Sequence, residues 1–202
     1  MYESLSRREV KLIDDSRYRR FAVTVPLVRR EDAVKVLFEV RSPDLGRQPG
    51  EICLPGGARE KNESAWENAL RETCEELVID RTKVVPIAQM DTLLTMYDNW
   101  VDVFLCEIKD YEGTFSRDEV TEIFEVPLDY FFNTQPQEYG FIFRTEPGPD
   151  FPFRDIPGGR NYRFRSARRP VYFYYYKRYV IWGMTAYIMR HTAEILRGVS
   201  DE

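Results

Sequence analysis

A chain of 202 residues, 43% hydrophobic and 31% charged, has the apolar mass for one globular domain and too much of it for disorder. Its 29 basic and 34 acidic side chains leave a net charge of −5, which argues against a general binder of nucleic acid or anionic membrane. The longest run without a charge is eleven residues, 179–189, too short to span a bilayer, and the charged first twenty residues hold no apolar stretch of signal-peptide type.

In chain order, the first twenty residues read as an irregular or helical lead-in. Residues 21–28 and 33–40 are rich in β-branched and aromatic types and predict strands. Residues 41–51 carry the Gly, Pro and charge of a long loop, and a short strand at 52–54 runs into the sharp break Pro55-Gly56-Gly57. The clearest helix is 64–77. Ser64 and Glu67 form a capping-box pattern there, and Trp66, Ala69, Leu70, Thr73 and Leu77 recur on one side at helical spacing.

Further strands are expected at 84–96 and 101–108, joined by Tyr97-Asp98-Asn99-Trp100. Residues 118–132 combine a turn, an extended run at 122–126 and a brief helix after Pro127. Many prolines and glycines in 133–170 predict a long irregular excursion, followed by a last strand at 171–179 with aromatics on both faces. Ile181, Met184, Ile188, Ile195 and Leu196 then space out as an amphipathic C-terminal helix that stops at Gly198. The class is α+β, expected as a single domain over 1–202 with an irregular insertion around 133–170.

His191 is the only histidine, read as an exposed helix residue, which argues against a His-based triad or a two-His metal site. Cys53, Cys74 and Cys106 are an odd number with no Cys-x-x-Cys pair. They argue against a disulfide framework or zinc ribbon and read as core thiols in a reducing cytoplasm. Chemistry must therefore run on carboxylates. On the 64–77 helix, Glu72, Glu75 and Glu76 stand at i, i+3 and i+4 and project from one face. They repel one another unless a cation neutralises them, and a hard ion such as Mg²⁺ takes oxygen ligands of this kind. Arg71 can pair with Glu67 or with Glu63 and orient the carboxylates. A solvated acidic helix face is the competing reading.

The upstream spacing decides between them. Gly57, five residues, Glu63, seven residues, Arg71-Glu72, two residues and Glu75-Glu76 resemble the Nudix box, the signature of hydrolases that cleave nucleoside diphosphates linked to another moiety. The departures are Val78 in place of Gly and Thr73 in place of an aliphatic residue. The resemblance implies the Nudix fold, a mixed β-sheet sandwiched between α-helices, and a Mg²⁺ or Mn²⁺ cofactor. It implies that the Gly56 carbonyl, Glu75 and Glu76 bind metal, that Glu72 ligates metal or helps activate water, and that Glu63 and Arg71 support the box. It also implies a further glutamate from a later loop, acting as ligand or base. Glu119 sits where that residue is expected, with Glu122 as second choice.

Flanking residues address the substrate. Leu37-Phe38-Glu39-Val40-Arg41-Ser42 and then Gly50-Glu51-Ile52-Cys53-Leu54-Pro55-Gly56-Gly57 resemble the extra motif of the coenzyme A pyrophosphatase branch, with Leu54 where Phe is usual. Ile181-Trp182-Gly183-Met184-Thr185-Ala186 resembles the start of that branch's last helix. Arg41, Ser42 and Gly57 are the implied substrate-binding residues. Physically, Arg41 offers a bidentate guanidinium to a phosphate and Ser42 a hydroxyl, or else Arg41 makes a surface salt bridge. Trp182 reads as a core side chain or an adenine-stacking one.

Arg154, Arg160, Arg163, Arg165, Arg168 and Arg169, interleaved with Phe153, Tyr162 and Phe164, offer charge and stacking to a phosphate-rich ligand or RNA. They equally suit a solvated loop or a dimer contact. The expected activity is cleavage of coenzyme A or its derivatives to 3′,5′-ADP and 4′-phosphopantetheine. The alternatives are ADP-ribose, NADH or a dinucleoside polyphosphate as substrate, and a non-catalytic nucleotide- or RNA-binding regulator. The expected partner is a nucleoside-diphosphate-linked small molecule, with no membrane or nucleic-acid partner and a homodimer as the assembly suggested by the C-terminal third. The terminal Ser200-Asp201-Glu202 is not a peroxisomal tripeptide, so a cytoplasmic address is preferred.

Overall fold

The computed structural model describes residues 12–31 and 33–200. The elements are β1 (Arg19–Arg29), β2 (Val34–Arg41), β3 (Ile52–Cys53), β4 (Gly56–Ala58), α1 (Ala65–Leu77), β5 (Val84–Gln89), β6 (Leu93–Leu94), β7 (Asn99–Ile108), β8 (Val120–Pro127), α2 (Leu128–Asn133), β9 (Gln137–Phe143), β10 (Ala167–Tyr176), β11 (Tyr179–Trp182) and α3 (Gly183–Ser200). The main sheet runs β3-β2-β1-β7-β5, with β4 also on β1, β6 on β7 and β8 on β2. β1 and β7 run parallel and the other pairs antiparallel, so the sheet is mixed. A second, three-stranded sheet is ordered β11-β10-β9.

The pleat sorts the core. Successive side chains of a strand point to opposite faces. Ala22 and Val28 of β1, Leu37 of β2 and Phe104, Cys106 and Ile108 of β7 pack on the side of α1, against Ala69, Leu70 and Leu77. Val23, Val25, Leu27, Val36, Phe38, Val101, Val103 and Leu105 meet Phe131 of α2, Ile188, Met189 and Ala193 of α3, and Tyr172 and Tyr174 of β10. Both faces are covered, which is why β1 reads as a nearly continuous apolar run rather than an alternating one. The expected sheet between helices is therefore present, with the small second sheet added to one layer.

Several expected boundaries move. The irregular or helical lead-in falls mostly on residues 1–11, outside those described. The break at Pro55-Gly56-Gly57 becomes a short strand paired with Phe21–Val23. The run 84–96 divides into β5 and β6 with a register irregularity at Pro86, because a proline cannot donate to the ladder. Part of the 133–170 excursion is β9, paired along β10. The last strand turns at Lys177, in left-handed backbone at φ 53°, and returns as β11, so Ile181 belongs to a strand rather than to the C-terminal helix. That helix also continues past Gly198 to Ser200. Among the described residues no helix is long and apolar enough to cross a membrane.

Candidate active site

The site begins with the start of α1. Ser64 Oγ accepts from Glu67 N at 3.2 Å while Glu67 Oε2 accepts from Ser64 N at 2.8 Å, which closes the capping box. That engagement takes Glu67 and directs Arg71 to Glu63. Arg71 Nε donates to Glu63 Oε1 at 2.7 Å and Nη2 to Glu63 Oε2 at 3.3 Å, a two-pronged pairing. The same Nη2 donates to Asn68 Oδ1 at 3.0 Å, and Asn68 Nδ2 donates to the Gly57 carbonyl at 3.1 Å. Buried Asn68, unremarked in the sequence, thus ties the helix to its entry loop. Arg71 Nη1 also lies 2.9 Å from Glu72 and 3.0 Å from Glu75. The Arg71 hydrogen bond holds the Glu63 carboxyl below the usual carboxylate range.

The three helix glutamates do not share one solvent face. Glu76 is 3% exposed, the Glu72 side chain 17% and that of Glu75 58%. Only Glu75 fits the solvated-face reading. Glu76 Oε2 accepts from Gly56 N at 2.8 Å. A Cβ on Gly57 would stand 2.4 Å from the Glu72 carboxyl carbon, so the glycine is what lets Glu72 lie against the loop. Gly56, at φ 149°, would carry a Cβ 2.4 Å from the Ala22 carbonyl. Burial pushes Glu76 up to about 8 against the opposing pull of the Gly56 N–H, and burial also raises Glu72 despite Arg71. Thr73, where the box ordinarily has an aliphatic residue, is buried. Its hydroxyl bonds the Ala69 carbonyl at 2.7 Å and lies 2.9 Å from the Thr24 hydroxyl, so both polar groups are satisfied inside the core.

The later loop is docked onto the end of α1. Ser116 N donates to the Glu76 carbonyl at 2.7 Å, Thr114 Oγ1 to the Leu77 carbonyl at 2.7 Å, and Ser42 N to the Glu119 carbonyl at 2.8 Å. These bonds bring Glu119 close enough to act by charge on Glu72, Glu76 and Glu39. Glu122, the second choice, instead accepts from Arg178 and, at 2.5 Å, from the Tyr179 hydroxyl. The Ser42 hydroxyl accepts from Asp44 N at 3.4 Å and the residue is buried, so it stabilises a turn, which differs from the expected hydroxyl offered to a phosphate. Arg41 forms no surface salt bridge among the described residues. Its guanidinium is near Cys53, and its buried Nε has no hydrogen-bond partner.

Sequence reading passed over Glu39. It is 1% exposed on β2, two residues from Arg41 and opposite Cys53 of β3. The available signal was a carboxylate at the parity of buried Leu37, flanked by Phe38 and Val40. As they stand, no three Asp, Glu, Cys or His side chains among the described residues are arranged to hold an ion. Glu72 and Glu75 turn toward Arg71, and Glu76 toward Gly56. The donor chemistry nonetheless suits Mg²⁺ or Mn²⁺. All the donors are hard oxygens, Glu72 and Glu76 are half dry or drier, and one buried oxygen, Glu39 Oε1, lacks any partner.

Features outside this cluster settle more plainly. Trp182 stacks on Phe173, with ring centroids 5.7 Å apart at 18°, and is half-buried rather than core. His191 is not simply exposed, since its Nε2 lies 2.7 Å from Asp91 Oδ2. Cys106 is buried, whereas Cys53 and Cys74 are half-buried, and all three are free thiols. In the arginine-rich segment, Arg160 lies over the Phe153 ring at 5.2 Å and Arg154 is 3.6 Å from Asp155.

Comparison with known proteins accords with the geometry. The mouse protein described as peroxisomal coenzyme A diphosphatase NUDT7 is 34% identical over 156 residues, covering 71% of this chain. The chain spans 63% of the length of that mouse protein. The uncharacterized Nudix hydrolase NudL of Escherichia coli K12 is 33% identical over 178 residues, covering 87% of this chain and 82% of NudL. A solved MutT/nudix family protein from Enterococcus faecalis superposes with a TM-score of 0.51 at 15% identity, over 97% of this chain and 68% of its own, a likeness of fold alone. The NUDIX domain model matches residues 18–159, and the chain belongs to the Nudix hydrolase family.

Proposed function

We propose that this Nudix hydrolase cleaves the diphosphate of coenzyme A or its derivatives, giving 3′,5′-ADP and 4′-phosphopantetheine. The observation that carries the reading is Arg41. The guanidinium acts by charge on Glu39 and Glu76 without an ion pair to either, and its buried Nε has no partner, which leaves a donor for a diphosphate oxygen. Arg41 also stands in the stretch that resembles the coenzyme A branch, and the mouse relative carries that activity in its description.

In this reading the Gly56 carbonyl, Glu72, Glu75, Glu76 and Glu119 would hold Mg²⁺ or Mn²⁺. Such an ion, when bound, neutralises phosphoryl charge and lowers the pKa of water. Glu72 or Glu119 takes the proton of the water that attacks phosphorus. Arg71, braced by Glu63 and Asn68, aligns Glu72 and Glu75. Gly57 leaves room for Glu72, and Ser42 secures Glu119 through its backbone. Three free thiols fit a reducing compartment, and cytoplasm is our reading of it.

The test is product analysis by anion exchange, with coenzyme A, ADP-ribose, NADH and a dinucleoside polyphosphate in separate tubes, each with Mg²⁺, Mn²⁺ or chelator. The expected result is metal-dependent release of 3′,5′-ADP from coenzyme A, faster than any other cleavage. Glu76→Gln should lower it on the order of 10²–10³-fold with the fold intact. Faster cleavage of another substrate would overturn the coenzyme A assignment, and silence in every tube would favour a binding role.

A further inference from the structure

We propose that Glu39 is an additional ligand of the divalent cation, supplying a carboxylate oxygen from β2 beside Glu76; this rests on the reading of the site as metal-dependent. The placement follows from the pleat. Glu39 shares the parity of Leu37, which packs against Leu77 of α1, so its side chain points to the face that α1 covers. It is 1% exposed there. Oε1 has no hydrogen-bond partner, and Oε2 has only the weak donor Cys53 Sγ, at 3.8 Å.

A carboxylate in that state is costly. A buried charge or an unsatisfied buried oxygen destabilises the fold unless a partner compensates it. The protein's own candidates do not fill that role. Arg41, two residues along, forms no ion pair with Glu39, and its Nε is itself unpartnered. The nearby Tyr111 hydroxyl donates to the Thr114 carbonyl at 2.5 Å. The remaining charged neighbours are Glu76 from α1 and Glu119 from the turn before β8. Three carboxylates approaching from three separate elements, one with a bare buried oxygen, have only the Arg41 guanidinium acting on Glu39 and Glu76 by charge, with no ion pair to either. A hard divalent ion takes oxygen donors of this kind.

The experiment is Mn²⁺ binding to the full chain without substrate, read by the electron paramagnetic resonance signal of free Mn²⁺ and by the Mn²⁺-induced shift in Tm. Glu39→Gln should weaken Mn²⁺ binding about tenfold or more and shrink the shift, while the metal-free Tm stays level or rises. Should that variant fold poorly, Glu39→Leu, near in volume and without polar atoms to satisfy, carries the same measurement. Wild-type Mn²⁺ affinity in the Glu39 variants, alongside a loss in Glu76→Gln, would overturn the role of Glu39 and leave the metal reading standing. A wild-type protein that takes up no Mn²⁺ would overturn both.

Discussion

Helix α1 with its entry loop and the stretch between β9 and β10 are both rich in charge, yet they use it differently. In the first, one arginine is engaged by Glu63, Asn68, Glu72 and Glu75, and the group is half-buried against the sheet. In the second, Arg163 and Arg165 make no side-chain ion pair among the described residues, and Arg154 meets Asp155 with its side chain 90% exposed. Density of charge along the sequence does not distinguish them. Convergence does, because a pair in half-dry surroundings is worth more than a solvent-screened one and holds its partners in one geometry.

That contrast can be broken at its stronger end first. Arg71→Lys keeps the charge and loses the planar fork that reaches four partners. We expect activity and Mn²⁺ affinity to fall about 10–100-fold, as for lost support of metal-site ligands. Wild-type kinetics in that variant would mean that the network is ornamental.

The buried end of the same network gives a pH signature. Glu76 is raised to about 8 by burial, so it is raised above its value in the unfolded chain. Its contribution to stability is full below the ordinary glutamate range. That contribution is lost as pH rises toward the raised value, because the unfolded chain ionises first. Urea unfolding with chelator present should therefore show stability falling from pH 5 to pH 8, and Glu76→Gln should flatten the slope. Stability that climbs across this window would refute a protonated, buried Glu76.

A smaller effect is expected where α1 ends. Val78 occupies left-handed backbone at φ 52°, ψ 55°, the conformation that glycine takes at no steric cost. Val78→Gly should stabilise the fold by about 1 kcal/mol, and so raise Tm by roughly 2–4 °C in a chain of this size. A lower Tm would show that the valine side chain contributes contacts that outweigh the strain. The smallest effect belongs to the excursion, where Arg165→Ala should alter stability by less than about 0.5 kcal/mol and leave Mn²⁺ binding unchanged. A larger loss would place this segment with the site rather than apart from it.

Local patterns carried most of what could be foreseen. The capping box of Ser64 and Glu67 depends on residues three apart, and the structure closes it as the pattern requires. The departures also stayed local. Val78 keeps the left-handed exit, and Thr73 answers the loss of an aliphatic residue by bonding Ala69. The hairpin at Lys177 was missed because an unbroken run of aromatics hides a turn that carries neither Gly nor Pro. β9 was missed because prolines and glycines around it mask a strand that exists only by pairing along β10.

By itself, the sequence determined the family, the box helix and the carboxylates at its spacing, because periodicity and capping are properties of neighbours along the chain. Tertiary structure alone decided which glutamates are dry and which loop glutamate joins them. Glu119 rather than Glu122 lies by the box because Ser116, Thr114 and Ser42 dock its loop, and Glu39 enters because the β2 pleat faces α1. Burial and charge coupling are distances in space between elements far apart in the chain, and no local pattern records them.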